Sequence, residues 1–249
     1  MNPNAAHEPM IKIENLYKKY GDNVVLDGFN LNLYQGENLV IMGKSGSGKS
    51  VMIKCLIGLE IPDSGTIEIM SQKLEHLSLK ALDEIRADIG FLFQGSALYD
   101  SMTVRENLEF PLRRHISKFG NVKDTLPLVE EALQNVGLKN VIDLMPNELS
   151  GGMKRRVALA RTLILKPKII IYDEPTTGLD PITSKEIILL MKSVQEKYKT
   201  SSIIITHDVD CARVIANRMI LLIDGKNYAE GTFAELSTSQ DPKVKAFFK

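Results

Sequence analysis

The chain has 249 residues, of which 44% are hydrophobic and 25% are charged, a composition typical of a soluble globular protein with a large core. Its 31 basic and 31 acidic side chains cancel, so the charge gives no support for wholesale binding to nucleic acid. No apolar run approaches the roughly 18 residues of a membrane-spanning helix, and the two cysteines have no disulfide or metal-binding spacing.

The first part of the chain predicts a small antiparallel sheet. Residues 11–14 and 29–34 alternate between apolar and polar side chains, as half-buried antiparallel strands do. A turn is predicted at 20–23 and a further alternating strand at 66–69. Tyr20 lies at that turn and leaves two interpretations open, because an exposed ring there can stack on a purine base or merely pack on the sheet.

A strand, a glycine-rich loop and a helix follow one another from residue 39 onwards. The apolar run 39–42 predicts a buried strand, and an apolar repeat at helical spacing predicts a helix over 50–59. Between them, Gly43–Ser50 matches the phosphate-binding pattern G-x-x-x-x-G-K-[S/T]. The glycines let backbone N–H groups turn toward anionic oxygens, and the positive end of the next helix points to the same place.

This loop therefore predicts a bound nucleotide. We expect Lys49 to reach the β- and γ-phosphates and the Ser50 hydroxyl to bind Mg²⁺. The predicted nucleotide contacts in this part of the chain are Gly43, Lys44, Ser45, Gly46, Ser47, Gly48, Lys49, Ser50 and Val51.

The middle of the chain changes from strand to helix. Residues 89–93 predict a strand that ends at Gln94, and from 95 to about 165 only helical periodicity recurs. One predicted helix carries apolar residues over 126–136 and has Gly137 as its C-terminal cap. A helical subdomain inserted between two core strands explains this region better than a second independent domain.

The strand pattern returns after residue 165. Buried strands are predicted at 169–172 and 202–206, with a helix over 181–198 between them. Asp180 followed by Pro181 marks the start of that helix. A hairpin that turns at Asp224-Gly225 closes the predicted sheet.

Polar residues follow the predicted core strands, whose carboxyl ends meet at one crevice in an open α/β sheet. We expect Asp173 to hold Mg²⁺ through water and Glu174 to polarise the water that attacks the γ-phosphate. His207 is a donor to the γ-phosphate, an organiser of Glu174, or a structural residue. Gln94 could bind Mg²⁺ or the attacking water, and the residues alone do not decide whether it has either role.

The segment Leu149–Met153 begins another predicted helix and contains Ser150, Gly151 and Gly152. Such a helix start is a second phosphate-binding end, for which one nucleotide has no evident use within the same subunit. We therefore expect a dimer in which this end closes on the γ-phosphate bound by the partner. The alternative, Ser150 as an N-cap without a ligand, leaves the two glycines unexplained. The run Lys154–Arg156 is interpreted as a solvated helix face, not as a nucleic-acid patch.

From about Ile11 to Phe248 the chain resembles the ATP-binding subunits of ABC transporters. The resemblance implies an α/β fold: a P-loop NTPase (RecA-like) core with an antiparallel β subdomain and an inserted α-helical subdomain. It implies a single ABC ATPase domain over 1–249, with the core at 11–94 and 166–249 and the helical part at 95–165. The motifs that carry it, in order, are Tyr20 (A-loop), Gly43–Ser50 (Walker A), Gln94 (Q-loop), Leu149–Met153 (signature), Ile169–Glu174 (Walker B), Asp180 (D-loop) and His207 (H-loop).

The same resemblance implies a head-to-tail dimer of two copies that sandwiches two ATP, with hydrolysis moving a membrane permease. It implies a peripheral protein on the cytoplasmic face of the inner membrane, whose helical part near Gln94–Leu112 receives the coupling helix of the permease. The implied catalytic residues are Glu174, His207, Lys49 and Gln94, and the implied Mg²⁺ ligands are Ser50, Gln94 and Asp173. The implied contacts with the partner's nucleotide, across the dimer, are Ser150, Gly151, Gly152, Met153 and Asp180.

Four local features are similar to the ATPases that serve Mce-protein lipid transporters of the Mla type. They are Met153, where most family members have Gln, and the stretches 93–98, 107–113 and 180–183. This similarity implies phospholipid transport and a partner with an Mce domain. The alternatives are an ABC importer or exporter of another solute, or a non-transport ABC ATPase, which usually needs coiled-coil arms or a second ATPase unit.

Overall fold

The computed structural model describes residues 8–119 and 124–248, apart from the side chains of residues 116 and 117. The described chain forms two compact units, the first up to Arg86 and again from Ser201, the second from Ala87 to Thr200. The predicted helical part, 95–165, falls inside the second unit. Residues 1–7, 120–123 and 249, which the predicted single domain includes, lie outside the described residues, and that division stays a prediction.

Strands dominate the first unit and helices the second. In chain order the elements are β1 (Ile11–Tyr20), β2 (Asn23–Leu33), β3 (Asn38–Met42), α1 (Lys49–Leu56), β4 (Ser64–Ile69), β5 (Gln72–Lys73), α2 (Leu79–Ala87), β6 (Ile89–Leu92), α3 (Val104–His115), α4 (Leu126–Asn135), α5 (Gly151–Leu163), β7 (Ile169–Asp173), α6 (Pro181–Tyr198), β8 (Ser201–Ile205), α7 (Val209–Ile215), β9 (Arg218–Ile223), β10 (Lys226–Gly231), α8 (Phe233–Ser237) and α9 (Pro242–Lys245), with 3₁₀ turns at Leu74–His76, Ile116–Phe119 and Pro146–Glu148.

One sheet of the first unit is antiparallel, as the alternating sequence predicts. Its strand order is β2-β1-β4-β5. Ile13 pairs with Leu31 on one side and with Ile67 on the other, and all three side chains are buried. The short strand β5 has no alternating apolar pattern and was not predicted.

The other strands of the first unit surround β3. This strand pairs in parallel with β8 and β9, and β10 pairs with β9 in antiparallel fashion. Every residue of Asn38–Met42 is buried, as expected for a parallel strand covered on both faces. Because β3 and β8 are parallel neighbours, Gly43 and His207, which follow them, lie at the same edge of the sheet.

The second unit contains a parallel pair of strands, β6 and β7, with helices α3, α4 and α5 between them in the sequence. Helix α5 approaches β6 so closely that a Cβ on Gly90 would lie 2.6 Å from Cγ2 of Thr162. The Thr162 hydroxyl also donates to the Phe91 carbonyl at 3.1 Å. No strand occurs between 95 and 165 among the described residues, in agreement with the predicted helical region.

None of the helices in the described part of the chain is long and apolar enough to cross a membrane.

A buried ion pair joins distant segments of the first unit. Arg218 donates to both carboxylate oxygens of Glu37, at 2.8 and 3.0 Å, and the two side chains are 13% and 5% exposed. Arg218 also binds Glu230 and donates to the Asn32 carbonyl, while Glu37 accepts from the Tyr34 N–H. One guanidinium therefore connects β9 to β10 and to the end of β2.

We predict that Glu37→Ala lowers the free energy of unfolding by about 3 kcal/mol, because it removes the buried carboxylate and leaves Arg218 with Glu230, whose side chain is 41% exposed, as its remaining counter-charge. Urea denaturation of the full chain measures the change. The control is Glu14→Ala, which removes a partner from the exposed Lys12–Glu14 pair and should change the free energy of unfolding far less, because solvent screens that pair. A loss in Glu37→Ala no larger than that in Glu14→Ala would contradict the prediction.

Candidate functional site

The loop between β3 and α1 has a backbone that only glycine permits at two positions. Gly48 has φ +102°, and a Cβ there would lie 2.7 Å from the Val25 carbonyl. At Gly43 a Cβ would lie 2.4 Å from Oγ of Ser47 and 2.8 Å from the Leu222 carbonyl. The pattern that predicts this loop from sequence therefore reflects close backbone packing as well as conformational freedom.

The Lys49 ammonium lies inside this loop. It donates to the carbonyls of Gly43 at 2.7 Å and Lys44 at 2.9 Å. Residues 44–46 and Ser50 are exposed, and Lys49 begins helix α1. A positive charge, exposed backbone and a helix N-terminus thus lie within a few residues, which is the arrangement that binds the phosphates of a nucleotide.

A cavity of about 540 Å³ opens beside the loop within the first unit. Its size is that of a small-molecule site. Lys44 and Lys243 bring positive charge to it, and Asp224 lies 3.7 Å from the Lys243 amine. The cavity walls consist of the loop residues Lys44–Ser47, the strand residues 23–25, the hairpin residues 222–225, Lys243 and Phe247. The wall formed by Lys243 and Phe247 carries no sequence motif and was missed by sequence reasoning.

Tyr20 and His207 also belong to the first unit. Tyr20 is 46% exposed at the end of β1, so its ring is not buried on the sheet. The Lys18 amine lies 5.4 Å from the centre of that ring. The pKa of the Tyr20 phenol is raised, mainly because the hydroxyl loses hydration and secondly because Glu60 is negatively charged. His207 is exposed two residues after β8. Their predicted contacts with the base and the γ-phosphate stay predictions.

The second unit brings Gln94 together with Asp173 and Glu174. Gln94 follows β6, Asp173 ends β7, and these strands are parallel neighbours, so the residues lie at the same sheet edge. Glu174 has φ +49°, a left-handed conformation that is strained for a residue with a Cβ. Its carboxylate accepts from the Thr177 hydroxyl at 3.2 Å.

The segment Leu149–Met153 begins helix α5 as predicted. Ser150 is the N-cap, and its Oγ accepts from the Met153 N–H at 3.2 Å. A Cβ on Gly152 would lie 2.7 Å from Cγ2 of Thr183, in the first turn of α6. Close packing of two helix starts therefore explains Gly152 without a ligand, whereas Gly151 is exposed and has only Leu179 nearby, at an ordinary 3.7 Å.

Asp180 caps the neighbouring helix. Its carboxylate accepts from the main chain of Ile182 and Thr183, both at 3.0 Å, and from the Thr183 hydroxyl. The start of α6 at Pro181 confirms the predicted helix boundary.

The interpretation of Lys154–Arg156 as a solvated face is wrong. Arg155 is only 4% exposed, because its guanidinium reaches back to the carbonyls of Phe93 and Thr177. Arg156 donates to the Val136 carbonyl and to Glu186, each at 2.9 Å. Two of the three basic side chains in this run therefore make hydrogen bonds within the second unit.

The P-loop on a parallel strand defines the chain as a P-loop NTPase of the α/β class. A family model described as ABC transporter matches residues 26–177. The chain is 40% identical over 243 residues to the intermembrane phospholipid transport system ATP-binding protein MlaF of Haemophilus influenzae, covering 98% of this chain and 91% of that one. It is 36% identical to the methionine import ATP-binding protein MetN of Campylobacter jejuni, over 96% of this chain and 75% of that one.

A solved structure is also similar to this chain. It is a dimeric ATP-binding cassette in a post-hydrolysis state bound to ADP and Pi, with a TM-score of 0.79 and 37% identity over 90% of this chain and 99% of that one. The chain belongs to the ABC transporter family, as one of its ATPases.

We predict that Gly43→Ala weakens ATP binding by about tenfold or more, because the new methyl group displaces Ser47 or the Leu222 backbone and deforms the loop. Titration of the full chain with a fluorescent ATP analogue measures the affinity. Gly95→Ala is the matched control, since its Cβ would have no atom within 4 Å. Equal affinities of Gly43→Ala and the original chain would show that the loop tolerates the methyl group.

Proposed function

We propose that this ATPase powers the movement of phospholipid through a membrane permease of the Mla/Mce type. The observation that carries the substrate class is the 40% identity to a phospholipid transport ATPase over nearly the full length of both chains. A second candidate, import of another solute, is favoured by the 36% identity to a methionine import ATPase. That relative is less similar and is matched over only 75% of its length.

The first unit supplies the nucleotide contacts in this proposal. Lys49 and the loop Gly43–Ser50, continued by Val51, bind the phosphates, and the exposed ring of Tyr20 stacks on the base. The carbonyls of Gly43 and Lys44 that now accept from Lys49 are neutral, so phosphate oxygens compete with them for the ammonium. His207 donates a hydrogen bond to the γ-phosphate.

The residues proposed to hold Mg²⁺ fit that ion, because each offers an oxygen. Ser50 is exposed in the first turn of α1, and Gln94 and Asp173 leave parallel neighbouring strands at one edge. Bound with the nucleotide, Mg²⁺ neutralises charge on the phosphates. Asp173 holds it through water.

Glu174 is the proposed general base. It takes the proton of the water that attacks the γ-phosphate, while Gln94 orients that water and Lys49 and His207 stabilise charge on the phosphate. Glu174 is only half-buried as a residue, which suits a group that must meet a water molecule.

A second copy of the chain completes the site in this proposal. Ser150, Gly151 and Gly152 of that copy face the γ-phosphate, and Asp180 contributes to the same dimer contact. Met153 has no side-chain amide, so these contacts depend on Ser150 and on backbone N–H groups. The dimeric state of the similar ATP-binding cassette supports this assembly.

The proposed docking site of the permease is an aromatic groove of about 400 Å³ in the second unit. Tyr99 and Phe110 pack against each other there at a tilt of 52°, with their ring centres 4.9 Å apart, and they are 43% and 45% exposed. Phe93 adds a third exposed ring. An apolar helix end of the permease fits such a groove, which keeps the ATPase on the cytoplasmic face of the inner membrane beside an Mce-domain partner.

We predict that Glu174→Gln retains ATP binding and loses turnover by about 100-fold or more, because the amide cannot accept the proton. ATP affinity and steady-state hydrolysis are measured on the full chain purified with its membrane partners. Glu130→Gln, an exposed position on α4, is the control and should hydrolyse normally. Near-normal hydrolysis by Glu174→Gln would remove Glu174 from the proposed role.

We predict that the chain, purified from native membrane, brings with it a permease and a protein with an Mce domain. Tyr99→Ala combined with Phe110→Ala should reduce the recovered permease by about tenfold or more, since paired aromatic side chains dominate such interfaces. Mass spectrometry of the purified complex identifies and counts the subunits.

The control for this experiment is Leu79→Ala, an apolar side chain that is 86% exposed in the first unit. Recovery of a solute-binding protein in place of an Mce-domain protein would contradict the phospholipid proposal. Undiminished permease in the double variant would contradict the docking site alone.

A further inference from the structure

Glu174 depends on its neighbours to hold its conformation. Its left-handed backbone, with φ +49°, is unfavourable for a residue with a Cβ and persists only where surrounding contacts fix it. A general base must also present its carboxylate in one orientation, because proton transfer is sensitive to geometry. The contacts that fix Glu174 are therefore contacts that prepare the reaction.

Thr177 makes two such contacts. Its N–H donates to the Glu174 carbonyl at 3.3 Å, and its hydroxyl donates to Oε2 of the Glu174 carboxylate at 3.2 Å. One residue thus closes the turn after β7 and also orients the side chain of the proposed base. A hydrogen bond to a charged acceptor is stronger than one between neutral groups, so this single hydroxyl can hold the carboxylate in one orientation.

Arg155 holds Thr177 from the signature helix α5. Its Nη2 donates to the Thr177 carbonyl at 3.2 Å, and its Nη1 donates to the Phe93 carbonyl at 2.8 Å. Phe93 directly precedes Gln94, the other residue proposed to act on the attacking water. One guanidinium therefore contacts the segments that carry both residues.

The position of Arg155 is unfavourable for stability. Its side chain is 4% exposed, its Nε is buried without a hydrogen-bond partner, and no carboxylate pairs with it among the described residues. Burial alone lowers the pKa of the guanidinium. A buried cation without a counter-charge usually destabilises a protein relative to a packed apolar side chain. A role in positioning explains why an arginine stands there.

We propose that Thr177 and Arg155 are positioning residues of ATP hydrolysis. Thr177 orients the carboxylate of Glu174, and Arg155 fixes Thr177 and the Phe93-Gln94 segment to the signature helix. This inference rests on the proposed role of Glu174 as the general base. A change at the start of α5 therefore alters the two loops proposed to position the attacking water, those that carry Gln94 and Glu174.

The first test removes the hydroxyl of Thr177. Thr177→Val should lower kcat by about tenfold or more while the affinity for ATP stays within twofold, and Thr177→Ser should restore most of the rate. Thr125→Val is the matched control, because the Thr125 hydroxyl donates at 2.8 Å to another carboxylate of the same unit, that of Glu109. Unchanged kcat in Thr177→Val, or an equal loss in Thr177→Ser, would overturn the assignment of Thr177.

The second test separates positioning from stability at Arg155. Arg155→Met should lower kcat with ATP affinity unchanged, and its melting temperature should equal or exceed that of the original chain. Arg86→Met is the control, since Arg86 also binds two carbonyls, those of Ile57 and Gly58, in the first unit. Normal kcat in Arg155→Met, or a lowered melting temperature together with weaker ATP binding, would make Arg155 a structural residue.

The Glu174→Gln variant distinguishes the two levels of the proposal. If Glu174→Gln hydrolyses ATP normally, the proposed base is wrong and the positioning role falls with it. If Glu174→Gln is inactive while Thr177→Val and Arg155→Met turn over normally, the base stands and only the positioning role is wrong.

Discussion

The burial of β3 on both faces is the constraint on which the phosphate loop depends. All of Asn38–Met42 is buried, and parallel neighbours hold the strand on each side. The strand therefore delivers Gly43 to one place, where the Leu222 backbone leaves no room for a Cβ. Because α1 begins at Lys49, the chain must turn within Gly43–Gly48, and this turn leaves residues 44–46 exposed to a ligand. Regular packing thus creates the irregular loop that is proposed to bind phosphate.

The loops that follow β6 and β7 both contain residues with a strained, left-handed backbone. Ser96 and Ala97 have φ +63° and +48° after Gln94, and Glu174 has φ +49° after Asp173. Helix α5 stabilises the first of these loops through Arg161, which donates to the carbonyls of Ser96 and Ala97 at 3.1 and 2.8 Å. Strained residues thus lie beside or among those proposed to act on water, and two arginines of one helix, Arg155 and Arg161, donate to carbonyls in these two loops.

Local patterns carried most of what could be predicted from the sequence. Alternating apolar residues give the strands of the antiparallel sheet, and Asp180 with Pro181 gives the start of α6, because a neighbouring residue or two decide these features. The burial of Arg155 was not predictable, since its carbonyl partner at Phe93 lies 62 residues away and a charge run looks the same on a solvated face. Lys243 and Phe247 line the cavity through tertiary packing that leaves no periodicity.

The adjoining starts of α5 and α6 differ in charge, and this difference decides which of them is suited to an anion. Asp180 neutralises the positive end of α6, and the Thr183 hydroxyl and main-chain N–H groups hold the pKa of its carboxyl below the usual range, so it stays charged. Helix α5 has the neutral Ser150 as its N-cap, and the Ser150 hydroxyl accepts a hydrogen bond from one main-chain N–H, that of Met153. A carboxylate at α6 would repel a phosphate placed directly on it, whereas the start of α5 keeps its positive end and its exposed Gly151. The proposed contact with a partner's nucleotide therefore favours the signature segment, and Asp180 contributes to that contact by ordering the helix beside it.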